Sequence, residues 1–541
     1  MEKEYYMDDQ LSIKETACIF SVSESTIRNW IKTGYLSLDE NNFVTLESIN
    51  NFKKQFVGRE KLNKRANKSF RDNHNHKQLI DDIYKRLNNI TPDLDQIGQE
   101  YENQLSNSYR NKEGVYYTPD HVIDRMFQIG SNDISNLTFC DPCCGSGNFV
   151  IKALSLGFKP ENIYAYDIDP VAVELTKKRI LHKSGFDSPN VMLADFLQLC
   201  TKPNIKQFDY IFTNPPWGKK TNKNDRVKLG YIFNSKSSID TCSLFLFACT
   251  RSLKEDGMLG LLLPESFFNI YTFEDARKHI LDHNILKFID FGKVFNGLIT
   301  KAQAVIINKS DNHYSTCDIE LNTDPYNIKR STKSFRKNPK SIFNIHCPEE
   351  NSNVINHIFS IPHITLKNNA QWGIGIVTGN NKKFVKINSE PGLIPVYRGS
   401  DITPNGLKKP TSFLSPDMKL YQQVAPIELY KTTPKIIYKF ISKKICFNYD
   451  EKQCFILNSA NMLIPNKSFP VNMKILCELF NSDFMNWIFY NIYNTHKILR
   501  ADLESLPIHF QYIDTNKFSE IEYIDKLNVE KNNNGTYRLK K

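Results

Sequence analysis

The chain has 541 residues, of which 40% are hydrophobic and 12% aromatic, enough for packed cores in about three domains. Its formal net charge of +11 favours an acidic polymer as partner. No apolar run approaches the roughly 18 residues of a membrane span, and the charged N-terminus does not resemble a signal peptide. Because twelve cysteines accompany no secretion signal, we expect reduced thiols in a cytoplasmic protein.

Residues 1–57 are predicted to form a small DNA-binding module. Ser12 and Glu15 form a capping box for a short helix, and Ser23 can cap a second helix that runs to Gly34. The residues spaced for burial between these helices are Ile13, Ala17, Val22, Ile27 and Trp30. This pattern resembles the excisionase/MerR-like helix-turn-helix, followed by a strand pair and a third helix. The resemblance implies that the second helix enters the major groove and that Arg28 and Lys32 contact DNA. The alternative is a plain helical hairpin that packs on the neighbouring domain.

Residues 58–110 are rich in Lys, Arg, Asn and His. Helical periodicity runs through residues 78–87 and again through residues 94–105, so we predict a helical linker. Its charges are interpreted as a solvated face in preference to a phosphate-binding one.

From residue 111 the pattern changes to alternating strands and helices, which predicts a doubly wound α/β domain over residues 111–345. The strand-like segments are Leu137–Asp141, Asn162–Asp167, Val191–Ala194, Phe208–Phe212 and Met258–Leu263. Ligands of such sheets bind beyond the carboxyl ends of the strands, where the strand order reverses. Residues that follow these strands are therefore the candidate site.

A glycine-rich turn, Asp141–Phe149, follows the first strand and opens a helix. Gly145 and Gly147 allow backbone to approach a ligand closely, and a helix N-terminus favours negative groups such as a carboxylate. The turn also contains a C-x2-C pair, Cys140 and Cys143. No second pair follows at the spacing of a zinc finger, so we predict no metal.

Acidic residues follow the second and third strands. Asp167, roughly 20 residues after the glycine turn, can accept both hydroxyls of a ribose. Asp195 and Phe196 can hold an adenine by its amino edge and its face. Each aspartate alone would be explained as a helix cap, but the ordered set indicates a nucleoside cofactor without a pyrophosphate.

The fourth strand ends in Thr213–Gly218, an Asn-Pro-Pro-Trp motif with one flanking residue on each side. The side-chain oxygen of Asn214 and the carbonyl of Pro215 can accept the two hydrogens of an exocyclic amino group, and Trp217 offers a stacking face. This chemistry suits a base removed from a helix. A proline-rich turn is the alternative for the tetrapeptide in isolation.

The motifs resemble, in their order along the chain, those of gamma-class DNA adenine-N6 methyltransferases of the TaqI type. They are Gly114–Pro119, Asp141–Phe149, Tyr166–Pro170, Ala194–Phe196 and Thr213–Gly218. A further segment, Ile289–Phe295, is similar to the one whose phenylalanine stacks on the flipped adenine opposite the diproline aromatic. The family usually has Tyr or Phe at the position of Trp217 and a smaller residue at that of Cys143.

The resemblance implies S-adenosylmethionine (SAM) as cofactor and a set of residues around it. The implied cofactor-binding residues are Tyr117, Thr118, Pro119, Asp141, Pro142, Gly145, Gly147, Asn148, Asp167, Ile168, Asp195, Phe196 and Asn214. The implied catalytic residues are Asn214, Pro215, Pro216, Trp217 and Phe295. Methyl transfer to N6 would then need no metal and no covalent enzyme intermediate.

A basic insertion at residues 218–238 follows the diproline motif. Two interpretations stay open from the sequence: a mobile loop that contacts the duplex on closure, and a disordered surface loop.

Residues 346–510 lose the α/β alternation and resemble the C-terminal target-recognition domain of TaqI-type enzymes, an α+β region of short strands and two late helices. Its DNA-contact candidates are Arg398, Lys408, Lys409, Lys435, Lys439, Lys443 and Lys444. The tail, residues 511–541, is rich in Asn and charge and is predicted to add little structure.

The predicted function is site-specific methylation of adenine N6 in double-stranded DNA by a monomeric enzyme, the modification part of a restriction-modification system. Any nuclease is expected to be a separate protein, because no Glu-x-Lys occurs and the two Asp-x-Lys matches lie in the recognition domain. The alternatives are an RNA or protein N-methyltransferase and a SAM-binding transcription regulator.

Overall fold

A computed structural model describes most of the chain. The described residues are 10–20, 22, 24–32, 35–55, 83, 85–87, 94–104, 118–127, 133–218, 222–295, 300–310, 315–322 and 324–540. They form two compact units: an N-terminal unit of residues 1–234, 239–263 and 293–299, and a C-terminal unit of residues 235–238, 264–292 and 300–541. This division does not coincide with the predicted boundary at residue 345, and the predicted domain limits stay predictions.

The N-terminal unit begins with three short helices and a two-stranded sheet. The helices are Ile13–Ile19, Glu24–Lys32 and Leu46–Gln55, and the strands are β1 (Gln10–Leu11) and β2 (Val44–Thr45). The predicted capping box is present, since Ser12 Oγ accepts from Glu15 N at 3.2 Å and Glu15 accepts from Ser12 N at 2.9 Å. Trp30 is fully buried, with its ring 5.6 Å from that of Phe20 and 4.6 Å from that of Phe52. The predicted helix pair and third helix are confirmed.

The helix Leu94–Gln104 lies where the sequence predicts the second linker helix. Its apolar residues pack into one buried cluster with the helix Pro170–Ser184, and the cluster is Ile83, Leu87, Leu94, Ile97, Tyr101, Val171 and Leu175. This part of the linker is therefore docked on the sheet domain through an apolar face.

A sheet of five parallel strands forms the centre of the N-terminal unit. Its strands are β3 (Phe139–Asp141), β4 (Ile163–Asp167), β5 (Val191–Leu193), β6 (Phe208–Thr213) and β7 (Leu253–Pro264). Their order is β7-β6-β3-β4-β5, and every neighbouring pair is parallel. The predicted doubly wound sheet is confirmed. Because the strand order reverses between β3 and β6, ligands are expected at the ends of those two strands.

Helices precede and connect these strands. They are Asp120–Met126, Asn148–Leu156, Pro170–Ser184, Phe196–Leu199, Lys223–Ile232 and Thr241–Arg251, with a 3₁₀ turn at Pro160–Asn162. Much of the basic insertion is the helix Lys223–Ile232, capped by the side chain of Asn222, so the prediction of a loop is wrong for these residues. Their contact with DNA stays a prediction. Leu229 and Phe233 are buried on this segment, and their burial explains why it folds.

The C-terminal unit contains four mixed strands followed by a set of smaller sheets. The mixed strands are β8 (Asn284–Gly292), β9 (Ala302–Asn308), β10 (Thr316–Leu321) and β11 (Asp324–Ser331), in the order β11-β10-β8-β9. The later strands are β12 (Ala370–Ile374), β13 (Ile394–Tyr397), β14 (Ile402–Thr403), β15 (Gly406–Leu407), β16 (Phe413–Leu414), β17 (Lys435–Lys439), β18 (Phe447–Asp450), β19 (Phe455–Ile456), β20 (Ala460–Pro465), β21 (Val529–Lys531) and β22 (Tyr537–Leu539). They pair as β12-β20-β17-β18, β16-β13-β19, β14-β15 and β21-β22.

The helices of this unit are Glu265–Asn269, Glu274–Leu281, Thr332–Lys337, Glu349–Ser360, Asn381–Phe384, Ile427–Lys431, Met473–Asn481, Asp483–Tyr493, Arg500–Leu503 and Glu520–Lys526. Its 3₁₀ turns are Tyr271–Phe273, Pro339–Ser341, Gly399–Asp401, Met418–Leu420 and Phe510–Tyr512. In the part of the chain that the structure describes, no helix is both long and apolar enough to cross a membrane.

The prediction that residues 511–541 add little structure is wrong. They form the helix Glu520–Lys526 and the hairpin of β21 and β22. Tyr523 and Tyr537 are buried and contact the ring of Phe484 at 6.2 and 4.9 Å. A few widely spaced apolar residues therefore attach a polar segment to the core, although its overall composition is typical of a disordered tail.

Candidate active site

The ends of β3, β4 and β6 bring polar residues to one edge of the parallel sheet. Asp141 ends β3, Asp167 ends β4, and Asn214 directly follows β6. β3 is hydrogen-bonded to both of the other strands, so these residues converge at the point where the strand order reverses.

The glycine turn after β3 takes a conformation that requires glycine. Gly145 and Gly147 have φ angles of 52° and 89°, in the left-handed region. A Cβ atom on Gly147 would lie 2.8 Å from Oγ1 of Thr176, closer than real Cβ contacts. The backbone of the turn, which carries no side chain at Gly147, thus packs against the helix Pro170–Ser184. The turn leads directly into the helix Asn148–Leu156.

Asp141 is fully buried in the floor of this site. Its Oδ1 accepts hydrogen bonds from Thr213 Oγ1 at 2.7 Å and from the backbone N of Cys143 at 3.2 Å. Its Oδ2 is buried and has no hydrogen-bond partner among the described residues. Burial raises the pKa of Asp141 to about 7. A buried acceptor with one unused oxygen fits a ligand that brings its own donor, such as an ammonium group.

Asp167 connects the turns that follow β3 and β4. Its carboxylate accepts from the backbone N of Gly145 at 2.9 Å and from that of Asp169 at 2.9 Å. Burial raises the pKa of Asp167 to about 6. Each carboxylate oxygen keeps further acceptor capacity for a hydroxyl group. The neighbouring Ile168 leaves 56% of its surface exposed, an apolar surface beside the carboxylate.

Asp195 and Phe196 follow β5, as predicted, but both have structural roles as well. Asp195 is exposed and caps the helix Phe196–Leu199, accepting from Gln198 N at 3.3 Å. Phe196 is buried between the rings of Tyr166 and Phe245, at centroid distances of 5.4 and 6.4 Å. Their contact with an adenine stays a prediction.

Asn214 is connected to the glycine turn by a chain of side-chain hydrogen bonds. Its Nδ2 donates to Oγ1 of Thr118 at 3.1 Å, and the carbonyl of Thr118 accepts from Asn148 Nδ2 at 3.1 Å. Arg179 donates to Asn148 Oδ1 at 2.8 Å and to the carbonyl of Ser146 at 2.5 Å. The bonds of Asn148 and Arg179 are buried, whereas the bond between Asn214 and Thr118 is partly buried.

Cys143 lies beneath the Asn-Pro-Pro motif. Its Sγ is 2.9 Å from Thr213 Oγ1 and donates to the carbonyl of Asn214 at 3.4 Å. Burial raises the pKa of the Cys143 thiol well above its usual range, so the group is neutral and can donate. Within the described residues, no cluster of His, Cys, Asp and Glu could hold a metal ion.

The rings of the two predicted stacking residues, Trp217 and Phe295, are in contact, but they are not parallel. Trp217 is buried and donates from Nε1 to the carbonyl of Leu262 at 3.2 Å. Its ring lies edge to face with that of Phe295, with centroids 5.2 Å apart and planes at 82°. A base between two parallel rings needs about 7 Å, two carbon contact distances. If a base stacks between Trp217 and Phe295 as predicted, the rings would have to separate first.

The remaining predicted site residues are placed as follows. Tyr117 lies outside the described residues, as does most of the motif that begins at Gly114. Pro119 precedes the helix Asp120–Met126 at its N-cap position. Pro142 and Pro215 are buried, and Pro216 is half-buried.

Most of the predicted DNA-contact cations are accessible. Arg28 is exposed and pairs with Glu24 at 3.0 Å, while the side chain of Lys32 lies outside the described residues. Arg398, Lys408, Lys409 and Lys443 are exposed, and Lys439 is half-buried. Lys444 is exposed and pairs with Asp483 at 2.9 Å.

The prediction that Lys435 contacts DNA is wrong. Its side chain is fully buried, with Nζ 2.6 Å from a carboxylate oxygen of Asp450 and 2.7 Å from the carbonyl of Tyr430. Asp450 lies directly opposite Lys435 in the antiparallel pair β17–β18. Burial alone would raise the pKa of Asp450, but the hydrogen bonds from Lys435 and from Lys452 N hold it below its usual value. Lys435 is therefore a structural cation.

Three residues at the edge were not predicted as site residues: Thr213, Cys143 and Arg179. Thr213 had a recognisable signal, because it is a hydroxyl at the end of an apolar strand beside the motif. Arg179 had none, since its partners Ser146 and Asn148 lie more than 30 positions away.

The fold and this edge define a methyltransferase domain of the doubly wound class, and comparison with known proteins identifies the family. Residues 92–368 match the N-6 DNA Methylase family, and residues 394–508 match the TaqI-like C-terminal specificity domain. The chain belongs to the N-6 DNA methylase family. It is a DNA adenine-N6 methyltransferase of the TaqI type, as the sequence predicts, from a family whose members generally use SAM.

Similar proteins include type II methyltransferases. The chain is 47% identical over 402 residues to Type II methyltransferase M.VspI of Vibrio sp. (strain 343), covering 74% of this chain and 97% of that one. It is 26% identical over 219 residues to Type II methyltransferase M.BanIII of Aneurinibacillus aneurinilyticus, covering 35% and 37% of the two chains. The type IIL restriction-modification enzyme MmeI, solved in complex with DNA, shares the fold, with a TM-score of 0.52 and 12% identity over 80% of this chain and 72% of MmeI.

Proposed function

We propose that this protein transfers a methyl group from SAM to N6 of an adenine flipped out of double-stranded DNA. It would act as the modification component of a restriction-modification system with a separate restriction endonuclease. The observation that carries this proposal is the shared sheet edge. Asn214 and Asp141 lie at the ends of the neighbouring strands β6 and β3, and Asp141 is a buried carboxylate with one oxygen that has no partner among the described residues.

The residues around the glycine turn suit the parts of SAM. Asp141 Oδ2 would accept from the amino-acid ammonium, and the bare backbone at Gly145 and Gly147 leaves room for close approach. Asp167 would accept the ribose hydroxyls, and Ile168 would cover one face of the adenine. When bound, SAM supplies an electrophilic methyl group on its sulfonium.

The Asn-Pro-Pro-Trp motif would orient the target amino group. Adenine N6 is a weak nucleophile because its lone pair is delocalised into the ring. If Oδ1 of Asn214 and the carbonyl of Pro215 accept the two N6 hydrogens, that lone pair is directed at the methyl group. Asn214 therefore acts by positioning and electrostatic stabilisation.

Aromatic contacts would offset the energy of base flipping. Flipping requires a few kcal/mol, and stacking on an aromatic side chain returns about 1–3 kcal/mol per base. Trp217 and Phe295 would supply this contact after their own edge-to-face contact opens.

The C-terminal unit would select the sequence, and cations would hold the duplex. Base-edge contacts distinguish sequences, whereas phosphate contacts set affinity and salt sensitivity. Arg398, Lys439 and Lys443 are the candidates for phosphate contact. The N-terminal helix-turn-helix would add contacts through Arg28 and Lys32.

The decisive experiment is transfer of labelled methyl from SAM to unmethylated genomic DNA, followed by nucleoside analysis. We expect N6-methyladenine with the wild-type enzyme and its loss with Asn214→Ala. Label in RNA or protein, but none in DNA, would overturn the substrate. Retained SAM binding without any transfer would favour a SAM-binding regulator.

A further inference from the structure

We propose that Thr118 is a positioning residue for methyl transfer, because its hydroxyl holds the Asn214 amide in the orientation that presents Oδ1 to the base. This inference rests on the proposed function. Its basis is the 3.1 Å hydrogen bond between Asn214 Nδ2 and Thr118 Oγ1, which connects the catalytic amide to a residue otherwise expected only near the cofactor.

The backbone carbonyl of Thr118 is itself held by a chain of hydrogen bonds in which each donor and acceptor can be assigned. The guanidinium of Arg179 can only donate, so the atom of Asn148 that faces it must be the oxygen, Oδ1. The other end of the Asn148 amide, Nδ2, must then face an acceptor, and it donates to the carbonyl of Thr118. Arg179 also donates to the carbonyl of Ser146 in the glycine turn. These bonds connect the glycine turn to the backbone carbonyl of Thr118, the residue that carries the hydroxyl.

The orientation of the Asn214 amide decides whether it can act. An asparagine side chain has an acceptor at one end of its amide and two donor hydrogens at the other. Only the oxygen can accept from an exocyclic amino group, and the opposite orientation would place two donors against each other. A threonine hydroxyl can donate or accept. Here Oγ1 of Thr118 accepts from Asn214 Nδ2 at 3.1 Å, and this contact leaves Oδ1 directed away from Thr118. Thr118 is buried and its hydrogen bond to Asn214 is partly buried, which limits the access of water when the hydroxyl is removed.

The test compares two substitutions at Thr118 of the full-length enzyme. Thr118→Val keeps the shape of the side chain and the backbone carbonyl but removes the hydroxyl, whereas Thr118→Ser keeps the hydroxyl. With DNA and SAM saturating, we expect the valine variant to lose about 10- to 100-fold in kcat, in line with loss of one pre-organised polar group. The Kd for SAM should change by less than about threefold, and the serine variant should restore kcat to within about threefold of wild type.

Three further measurements separate positioning from other roles. Thr118→Val in an Asn214→Ala background should add no further loss of rate, because the hydroxyl acts through Asn214. Thr250→Val removes another buried hydroxyl, which donates to the Phe247 carbonyl at 3.0 Å, and should leave kcat unchanged. Crystal structures should show the Asn214 amide displaced in the valine variant and in place in the serine variant.

The proposal is overturned if Thr118→Val keeps wild-type kcat, or if its loss appears as weaker SAM binding. It is also overturned if that loss adds to the loss from Asn214→Ala. Failure of the proposed function gives a different result: the wild-type enzyme would then methylate RNA or protein instead of DNA. The same variants measured on that acceptor, and the crystal structures, would still decide the role of Thr118.

Discussion

Asp141 in one unit and the buried cations Lys435 and Arg277 in the other differ in how completely their hydrogen-bonding groups are satisfied. At the sheet edge of the N-terminal unit, the carboxylate of Asp141 keeps one buried oxygen that has no partner among the residues the structure describes. In the C-terminal unit, the buried Lys435 is paired with Asp450 and also donates to a carbonyl. Arg277, also fully buried there, donates to the carbonyls of Phe267, Ile270, Lys340 and Ser341.

If Asp141 binds the cofactor as proposed, the difference separates a group that binds a ligand from groups that maintain the fold. Burying a polar group is unfavourable unless a hydrogen bond compensates for it. A saturated buried charge is already compensated, so it needs nothing from outside. A buried carboxylate with an unused oxygen is compensated only when a donor arrives. This contrast, and not charge itself, distinguishes Asp141 from Lys435.

The largest expected effect is on stability, from Lys435→Met. The substitution keeps the length of the side chain and leaves the Asp450 carboxylate buried without its cation, so the free energy of unfolding should fall by about 3–5 kcal/mol. Denaturant-induced unfolding measures this change. Lys439→Met, four positions along β17 and half-buried, is the matched control and should change stability much less. Equal effects at both positions would contradict the structural role of Lys435.

The second effect is on catalysis, from Asn214→Ala. Removal of one pre-organised polar group should lower kcat by at least about 100-fold, roughly 2.7 kcal/mol. Methyl transfer at saturating DNA and SAM measures the rate, and the Kd for SAM serves as the control for folding. Near-normal turnover by this variant would exclude the proposed role of the amide.

The third effect is a pH dependence of cofactor binding. Because burial raises the pKa of Asp141 to about 7, the folded protein loses stability from this group as pH rises from about 4 to 7. An ammonium bound at Oδ2 requires the ionised form, so affinity for SAM should increase as pH rises through 7. We expect about tenfold weaker binding at pH 6 than at pH 8.

Asp141→Asn is the control for this dependence. It should bind SAM weakly at every pH and remove most of the slope between pH 6 and 8. Asp167, with a pKa of about 6, would leave a smaller slope near pH 6. Calorimetric titration with SAM measures all three proteins, and a slope in Asp141→Asn as steep as in wild type would exclude Asp141 as the ammonium acceptor.

The smallest effects are expected at the exposed cations of the C-terminal unit. Arg398→Gln and Lys443→Gln should each weaken DNA binding a few-fold and lower the slope of log K against log salt by about 0.9, the value for one phosphate contact. Lys444→Gln should do less, since Asp483 already partly neutralises this side chain. Binding measured across a salt series tests each variant, and an unchanged slope would mean that the residue does not contact phosphate.

The sheet edge could be predicted from sequence because its signals are local. Asp141, Asp167 and Asn214 each follow an apolar strand, and the order of their motifs is specific enough to indicate a family. The hydrogen bonds that connect Asn214 to Arg179 could not be predicted. Arg179 lies on the helix Pro170–Ser184, and only the folded chain shows its contact with the glycine turn.

The errors in the C-terminal unit have a related cause. Lys435 lies in a basic segment with interleaved aromatics, which reads as a nucleic-acid surface until the register with β18 places Asp450 opposite it. The burial of Tyr523 and Tyr537 likewise depends on a partner, Phe484, far away in sequence. The overall composition of a segment reflects its many exposed residues. It does not reveal the few buried residues, such as Tyr523 and Tyr537, that pack the segment against the core.

The contact between Trp217 and Phe295 also has a consequence for selectivity. If a flipped base stacks on these rings as proposed, the contact between the rings occupies space that the base would fill, so the base would compete with that contact. An edge-to-face pair is worth about 0.5–1.5 kcal/mol beyond its buried area, and an incoming base must first replace that contact. A base that stacks poorly or leaves Asn214 without a matching amino group would be outcompeted by the enzyme's own rings.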